Sequence, residues 1–123
     1  MKQKNLVFLG RFQPFHKGHL ECVQKHAKIA KSITFLLGQG YDSARNPFSF
    51  TERRAMIQGS IRGLIRGPVN YIQINDHPYS NNGWIQEVAD ALREYDIKED
   101  IGFLGAKKDE TSWYIEYLNK EFP

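Results

Sequence analysis

Among its 123 residues the chain has a single cysteine, Cys22, which excludes an internal disulfide framework. It has no apolar run near the roughly 18 residues that a membrane-crossing helix requires. Too few apolar residues follow "MKQKN" for a secretory signal. These absences point to the cytoplasm. Internal repeats, low-complexity tracts and a linker are also missing, so one domain over 1–123 is expected. Neither G-x-x-x-x-G-K-[ST] nor G-x-G-x-x-G occurs, which removes the two commonest phosphate-loop signatures. Finally, there is no basic block. The 17 Lys and Arg are scattered, with small pairs at Arg53-Arg54 and Lys107-Lys108. A net charge of +3 favours an anionic partner. It permits a phosphorylated small molecule or a nucleic acid and selects neither.

What the chain does have is alternation. "NLVFLG" (5–10), "SITFLLG" (32–38), "VNYIQIN" (69–75) and "IGFLG" (101–105) read as strands, three of them nearly continuous apolar runs of the kind covered on both faces. Helical spacing links Leu20, Val23, Ala27 and Ala30 over 17–31, and Ile57, Ile61, Leu64 and Ile65 over 50–65. Over 83–95 it links Ile85, Val88, Ala89, Leu92 and Tyr95, and over 111–119 Tyr114, Ile115 and Leu118. "SFTE" (49–52) has the form of a capping box, with Ser49 as N-cap and Glu52 three residues on. Strands alternating with helices predict an α/β fold around a parallel sheet. Ligands in such folds bind outside the carboxyl ends of the strands. The loops to search are therefore 10–19, 38–50, 75–83 and 105–110.

The first of these, "GRFQPFHKGH" (10–19), is the most unusual stretch. Gly10 closes the first strand and Pro14 stiffens the turn. Gly18 and His19 fall in the opening turn of the first helix, where unpaired N–H groups and the dipole suit phosphate. Arg11 adds a cation. With a helix starting at or just before His16, His16 and His19 point the same way, so that two imidazoles grip one polyphosphate. Single histidines near a helix start are often plain caps or surface residues. Two of them, joined to Gly10, Arg11, Pro14 and Gly18 after a first strand, favour a ligand site. A zinc site from His16, His19, Cys22 and His26 fails on geometry: the outer two lie about 15 Å apart along a helix, and one tetrahedral ion cannot collect all four. The neighbours of Cys22 suggest packing, and His26 reads as a solvated surface residue.

"GRFQPFHKGH", with His16-Lys17-Gly18-His19 as an H-x-G-H element, resembles the first signature of the nucleotidyltransferase superfamily. It is similar in detail to the archaeal type of nicotinamide mononucleotide adenylyltransferase, and to the adenylyltransferase half of bacterial proteins that also carry a Nudix domain. "ARNPFSFTERRAMI" (44–57), "INDHPYSNNGWIQEV" (74–88) and "GAKKDETSWYIEYL" (105–118) agree in order and spacing, so the resemblance covers nearly the whole chain. It implies a Rossmann-like nucleotidyltransferase fold with helices on both faces of the sheet. It implies that the phosphate of nicotinamide mononucleotide attacks the α-phosphorus of ATP, with Mg²⁺ bound through the phosphates rather than by protein ligands. No nucleic-acid or membrane partner is implied.

Carried onto this chain, the resemblance makes His16, His19 and Arg11 the catalytic set, with His19 stabilising the α-phosphate. Gly10, Arg11, Phe12, His16, Gly18, His19 and Lys107 would form the ATP site, with Gly10, Arg11 and Phe12 acting largely through the backbone. Asn46, Arg53, Asp76, Asn81, Asn82 and Trp84 would serve the substrate side. There Arg53 meets phosphate, Trp84 stacks on the nicotinamide ring and Asn81 or Asn82 pairs with its carboxamide. Against these stand plainer readings: a solvated helix charge for Arg53, a core position for Trp84, caps for the asparagines and turn chemistry for Asn46. In the family a further strand and a helix with an S/T-x-x-R motif follow, whereas this sequence ends at "NKEFP". That departure suggests a C-terminally shortened form, with weakened turnover and a sheet edge open to self-association. The competing functions are a nucleotidyltransferase with another acceptor, a catalytically weak nucleotide-binding module, and a nucleic-acid binder.

Overall fold

Four parallel strands fix the frame: β1 (Lys4–Gly10), β2 (Ala30–Gln39), β3 (Val69–Asn75) and β4 (Ile101–Leu104). They lie in the order β3-β2-β1-β4. A computed structural model of the chain describes residues 3–39, 47–75 and 81–104. The helices are α1 (Lys17–His26), α2 (Phe50–Ile61) and α3 (Asn81–Glu94). The segment 111–119, expected to be a helix, lies outside the described residues.

Alternation along the strands divides the core in two. Leu6 and Phe8 of β1 and Ile33, Phe35 and Leu37 of β2 pack with Val23 of α1 and with Ile57 and Ile61 of α2. On the other face Val7, Leu9, Leu36, Ile74 and Phe103 pack with Val88 and Leu92 of α3. The sheet is thus covered on both sides, which is why its two central strands read as unbroken apolar runs. The polar residues inside are satisfied: Asn70 Nδ2 donates to Thr34 Oγ1 at 3.2 Å, and Ser32 Oγ to Asn5 Oδ1 at 2.8 Å.

The helix ends differ from the periodicity. α1 stops at His26 and passes through a 3-10 turn, Ala27–Ile29, so Ala30 begins β2 instead of closing a helical stripe. Its pairing with Lys4 of β1 takes over the backbone. α2 stops at Ile61 because Arg62 leaves the helical region and Gly63 turns left-handed at φ 82°. Leu64 and Ile65 still pack on the core, but from the turn. Tyr95, assigned to the apolar stripe of α3, follows that helix and is 43% exposed.

The connection from β1 through β2 to β3 runs one way across the sheet, and β4 lies on the other side of β1. The order therefore reverses at β1, and the carboxyl end of β1 is the topological switch point where ligands collect in such sheets. "GRFQPFHKGH" is the loop that leaves it.

Candidate functional site

Arg11 follows the end of β1, and Phe12 then turns left-handed at φ 51°. Such a conformation costs about 1–3 kcal/mol in a non-glycine residue. Burial of the ring offsets it: Phe12 is 1% exposed and meets the rings of Phe8, His19 and Phe35 at 5.2, 4.8 and 5.9 Å. Any contact Phe12 makes with a ligand is consequently through its backbone.

The loop then reaches α1, whose N-cap is His16. His16 Nδ1 accepts from the Gly18 N–H, and the His16 N–H donates to His19 Nδ1, both at 3.1 Å. Two histidines thus form a reciprocal capping box, a role usually filled by Ser or Thr with Glu or Gln. A backbone N–H only donates, so each Nδ1 is unprotonated and each neutral ring carries its proton on Nε2. The rings stack at 3.6 Å between centroids with 23° between planes. His19 also lies parallel to Phe15, at 5.4 Å and 5°, and is only 4% exposed, whereas His16 is exposed. An anion held by both rings therefore meets their edges, because nothing fits between the faces. Gly18 is part of this arrangement: a Cβ there would stand 3.0 Å from His16 Cε1.

Arg53 comes from α2 and is 2% exposed. It is not a solvated helix charge. Its Nη1 donates to Arg11 O at 2.8 Å and to Gly38 O at 2.7 Å, and its Nε to Ser49 O at 3.2 Å. Burial pulls its guanidinium below the ordinary value, but such a group stays cationic at neutral pH. Three of its five N–H groups thus bind the end of β1, the end of β2 and the start of α2.

Two residues without an expected role do similar work. Gln13 Nε2 donates to Phe48 O at 3.0 Å, and its Oε1 accepts from the Phe48 N–H at 2.8 Å. Glu87 of α3 accepts from the Asn75 N–H at 2.8 Å, where β3 ends. The only hint for Gln13 was its place before Pro14 in a stiff loop. Cys22 packs against the core, and burial pushes its thiol up, which disfavours the nucleophilic thiolate. His26 is half-buried rather than fully solvated, and its Nδ1 donates to Cys22 O at 2.8 Å.

Of the expected site residues, the structure brings Gly10, Arg11, Phe12, His16, Gly18, His19 and Arg53 to the carboxyl ends of β1 and β2. Asn46, Asp76 and Lys107 lie outside the described residues. Asn81, Asn82 and Trp84 open α3 after β3, with only their backbone described. The site built so far is a stiff loop and a histidine-capped helix, and it suits an anion.

Residues 7–115 match the cytidylyltransferase-like family. The nicotinamide/nicotinic acid mononucleotide adenylyltransferase of Acinetobacter baylyi is 31% identical over 114 residues, covering 90% of this chain and 60% of that protein. The nicotinamide-nucleotide adenylyltransferase of Thermoplasma acidophilum is 34% identical over 98 residues, covering 78% of this chain and 54% of that protein. The chain thus spans between half and two thirds of the length of these relatives. Among solved structures, a bifunctional NMN adenylyltransferase/ADP ribose pyrophosphatase from Francisella tularensis superposes with a TM-score of 0.80 at 29% identity, over 96% of this chain and 36% of that one. Another structure of that description, complexed with AMP and a manganese ion, gives a TM-score of 0.73 at 26% identity, over 96% of this chain and 35% of that one.

Proposed function

The chain belongs to the cytidylyltransferase-like family, and from that premise we propose that it transfers the adenylyl group of ATP to nicotinamide mononucleotide. The observation that carries this reading is the stacked histidine pair capping α1 at the switch point of the sheet. The attacking group is a phosphate oxygen of the mononucleotide, already ionised near neutral pH. It bonds to the α-phosphorus as the bond to the β-bridging oxygen breaks. Pyrophosphate leaves with the electron pair, and no general base is required. Catalysis then consists of positioning and charge stabilisation.

His16 and His19 supply Nε2–H donors to the phosphates, with His19 assigned to the α-phosphate, and Arg11 supplies positive charge. Gly10, Phe12 and Gly18 let the backbone approach ATP, and Lys107 serves its phosphates. Asn46, Asp76, Asn81, Asn82 and Trp84 form the acceptor side, with Arg53 at the junction of the two. Among the described residues no group of three His, Cys, Asp or Glu side chains is placed to hold a metal. Mg²⁺ would be carried on the phosphates of ATP, where it would neutralise charge developing on the leaving group. No described helix is long and apolar enough to cross a membrane. The compartment we propose is the cytoplasm. Among the described residues β4 lies at one side of the sheet, and self-association would use that side.

The test is to incubate the chain with ATP, Mg²⁺ and nicotinamide mononucleotide and to follow dinucleotide and pyrophosphate in equal amounts. Nicotinic acid mononucleotide in a parallel arm checks the acceptor. Binding of both substrates without product would leave a nucleotide-binding module. Failure to bind ATP would end the proposal.

A further inference from the structure

Resting on that reading, we infer that Arg53 and Gln13 are positioning residues, which set the placement of His16 and His19 without supplying charge to the phosphates. Arg53 joins three separate segments through backbone carbonyls: Arg11 after β1, Gly38 in β2 and Ser49 at the cap of α2. Gln13 joins the middle of the histidine loop to Phe48, one residue before that cap. Between them lies Phe12, buried and left-handed. The loop is held at Arg11, Phe12 and Gln13 in succession, and the next turn of chain carries the histidines. Both fastenings converge on the start of α2, so that helix anchors the loop that carries the histidines.

The chemistry of the two side chains suits holding backbone. A guanidinium offers donors in a fixed planar fork, which lets one side chain reach three carbonyls. Because those carbonyls are neutral, the charge serves to strengthen the bonds. The glutamine amide offers both N–H donors and a carbonyl acceptor, and it uses one of each kind on Phe48. Neither arrangement requires a ligand.

Arg53→Lys and Gln13→Ala test the inference. Lysine keeps the charge and loses the fork; Gln13→Ala removes no charge at all. Two measurements are made on each: the nitrogen-15 imidazole signals of His16 and His19, and the affinity for Mg-ATP as a function of salt. Both variants should move the imidazole signals and weaken ATP binding by between roughly tenfold and a hundredfold. Gln13→Ala should leave the slope of affinity against salt unchanged. Wild-type imidazole signals in a folded Gln13→Ala would overturn the inference. So would an Arg53→Lys that binds ATP like the wild type while Arg53→Met loses affinity with a flatter salt slope, since that is the behaviour of a phosphate cation. If the Arg53 variants do not fold, Gln13→Ala decides alone. If the unaltered chain does not bind ATP, the nucleotide reading fails, and the imidazole signals still judge the positioning.

Discussion

Two helices in this protein start the same way with different chemistry. α2 begins with Ser49, whose hydroxyl accepts from the Glu52 N–H at 3.1 Å while Glu52 Oε1 accepts from the Ser49 N–H at 2.9 Å. α1 begins with His16 and His19 in the same reciprocal arrangement. Both solve one problem, the unpaired N–H groups of a first turn. The Ser/Glu box completes its work there. In the histidine box each ring is fixed by its Nδ1, and the proton is assigned to Nε2. One ring is further locked against Phe8, Phe12 and Phe15. A cap becomes a candidate site when the capping side chain has a second functional atom and a core to brace it.

His16→Ser breaks this comparison most sharply, because it turns one box toward the other. Serine is a good N-cap, so α1 should keep its start and lose only about 1 kcal/mol with the ring contact. Adenylyl transfer should fall by roughly 10²–10³. Thermal melting beside the rate of pyrophosphate release checks both halves. Equal losses in the two measurements would make His16 a cap and nothing more.

The reverse variant is Ser49→Ala, which should cost about 1 kcal/mol of stability. Its effect on rate should go no further than the folded fraction does. Denaturant unfolding and an assay under strongly native conditions separate the two. A large loss of rate in the folded protein would extend the site to the α2 cap itself.

How far these roles were legible differs along the chain. The strands were plain because both faces of the sheet are buried, and "SFTE" was plain because Ser and Glu are the ordinary vocabulary of a cap. His16 and His19 stood out as ligands, yet their capping was invisible, since histidine seldom fills that role and the pattern gives no ring orientation. Arg53 was located without its geometry: it binds carbonyls 42 and 15 residues away, and neutral backbone partners leave no mark in a sequence. Gln13 was missed for the same reason. The helix ends slipped where strand pairing at Ala30 and the left-handed Gly63 outweighed an apolar stripe that ran on past them.

Two glycines sharpen the contrast between the helices. In α2 a Cβ on Gly59 would meet nothing within 4 Å, so Gly59→Ala should stabilise the protein by about 0.5–1 kcal/mol. In α1 the Cβ of Gly18→Ala would press on the His16 ring at 3.0 Å. The ring can give way, so the cost falls on its placement more than on the fold. Gly18→Ala should weaken ATP binding with little change in melting, and Gly59→Ala should raise melting with none in binding.

The smallest effect is confined to acid. The backbone N–H of Ser49, followed by its side chain, holds the Glu52 carboxyl below the usual range. A depressed folded value means that the native state prefers the carboxylate. The stability it brings is present above the unfolded value of about 4.3 and is lost as pH falls through the lower folded one. Glu52→Gln keeps an oxygen for the Ser49 N–H and loses only the charge. The two proteins should therefore differ in melting at neutral pH and converge below the carboxylate range. A difference between the two proteins that persisted unchanged below the carboxylate range would mean that the charge of Glu52 is not its source.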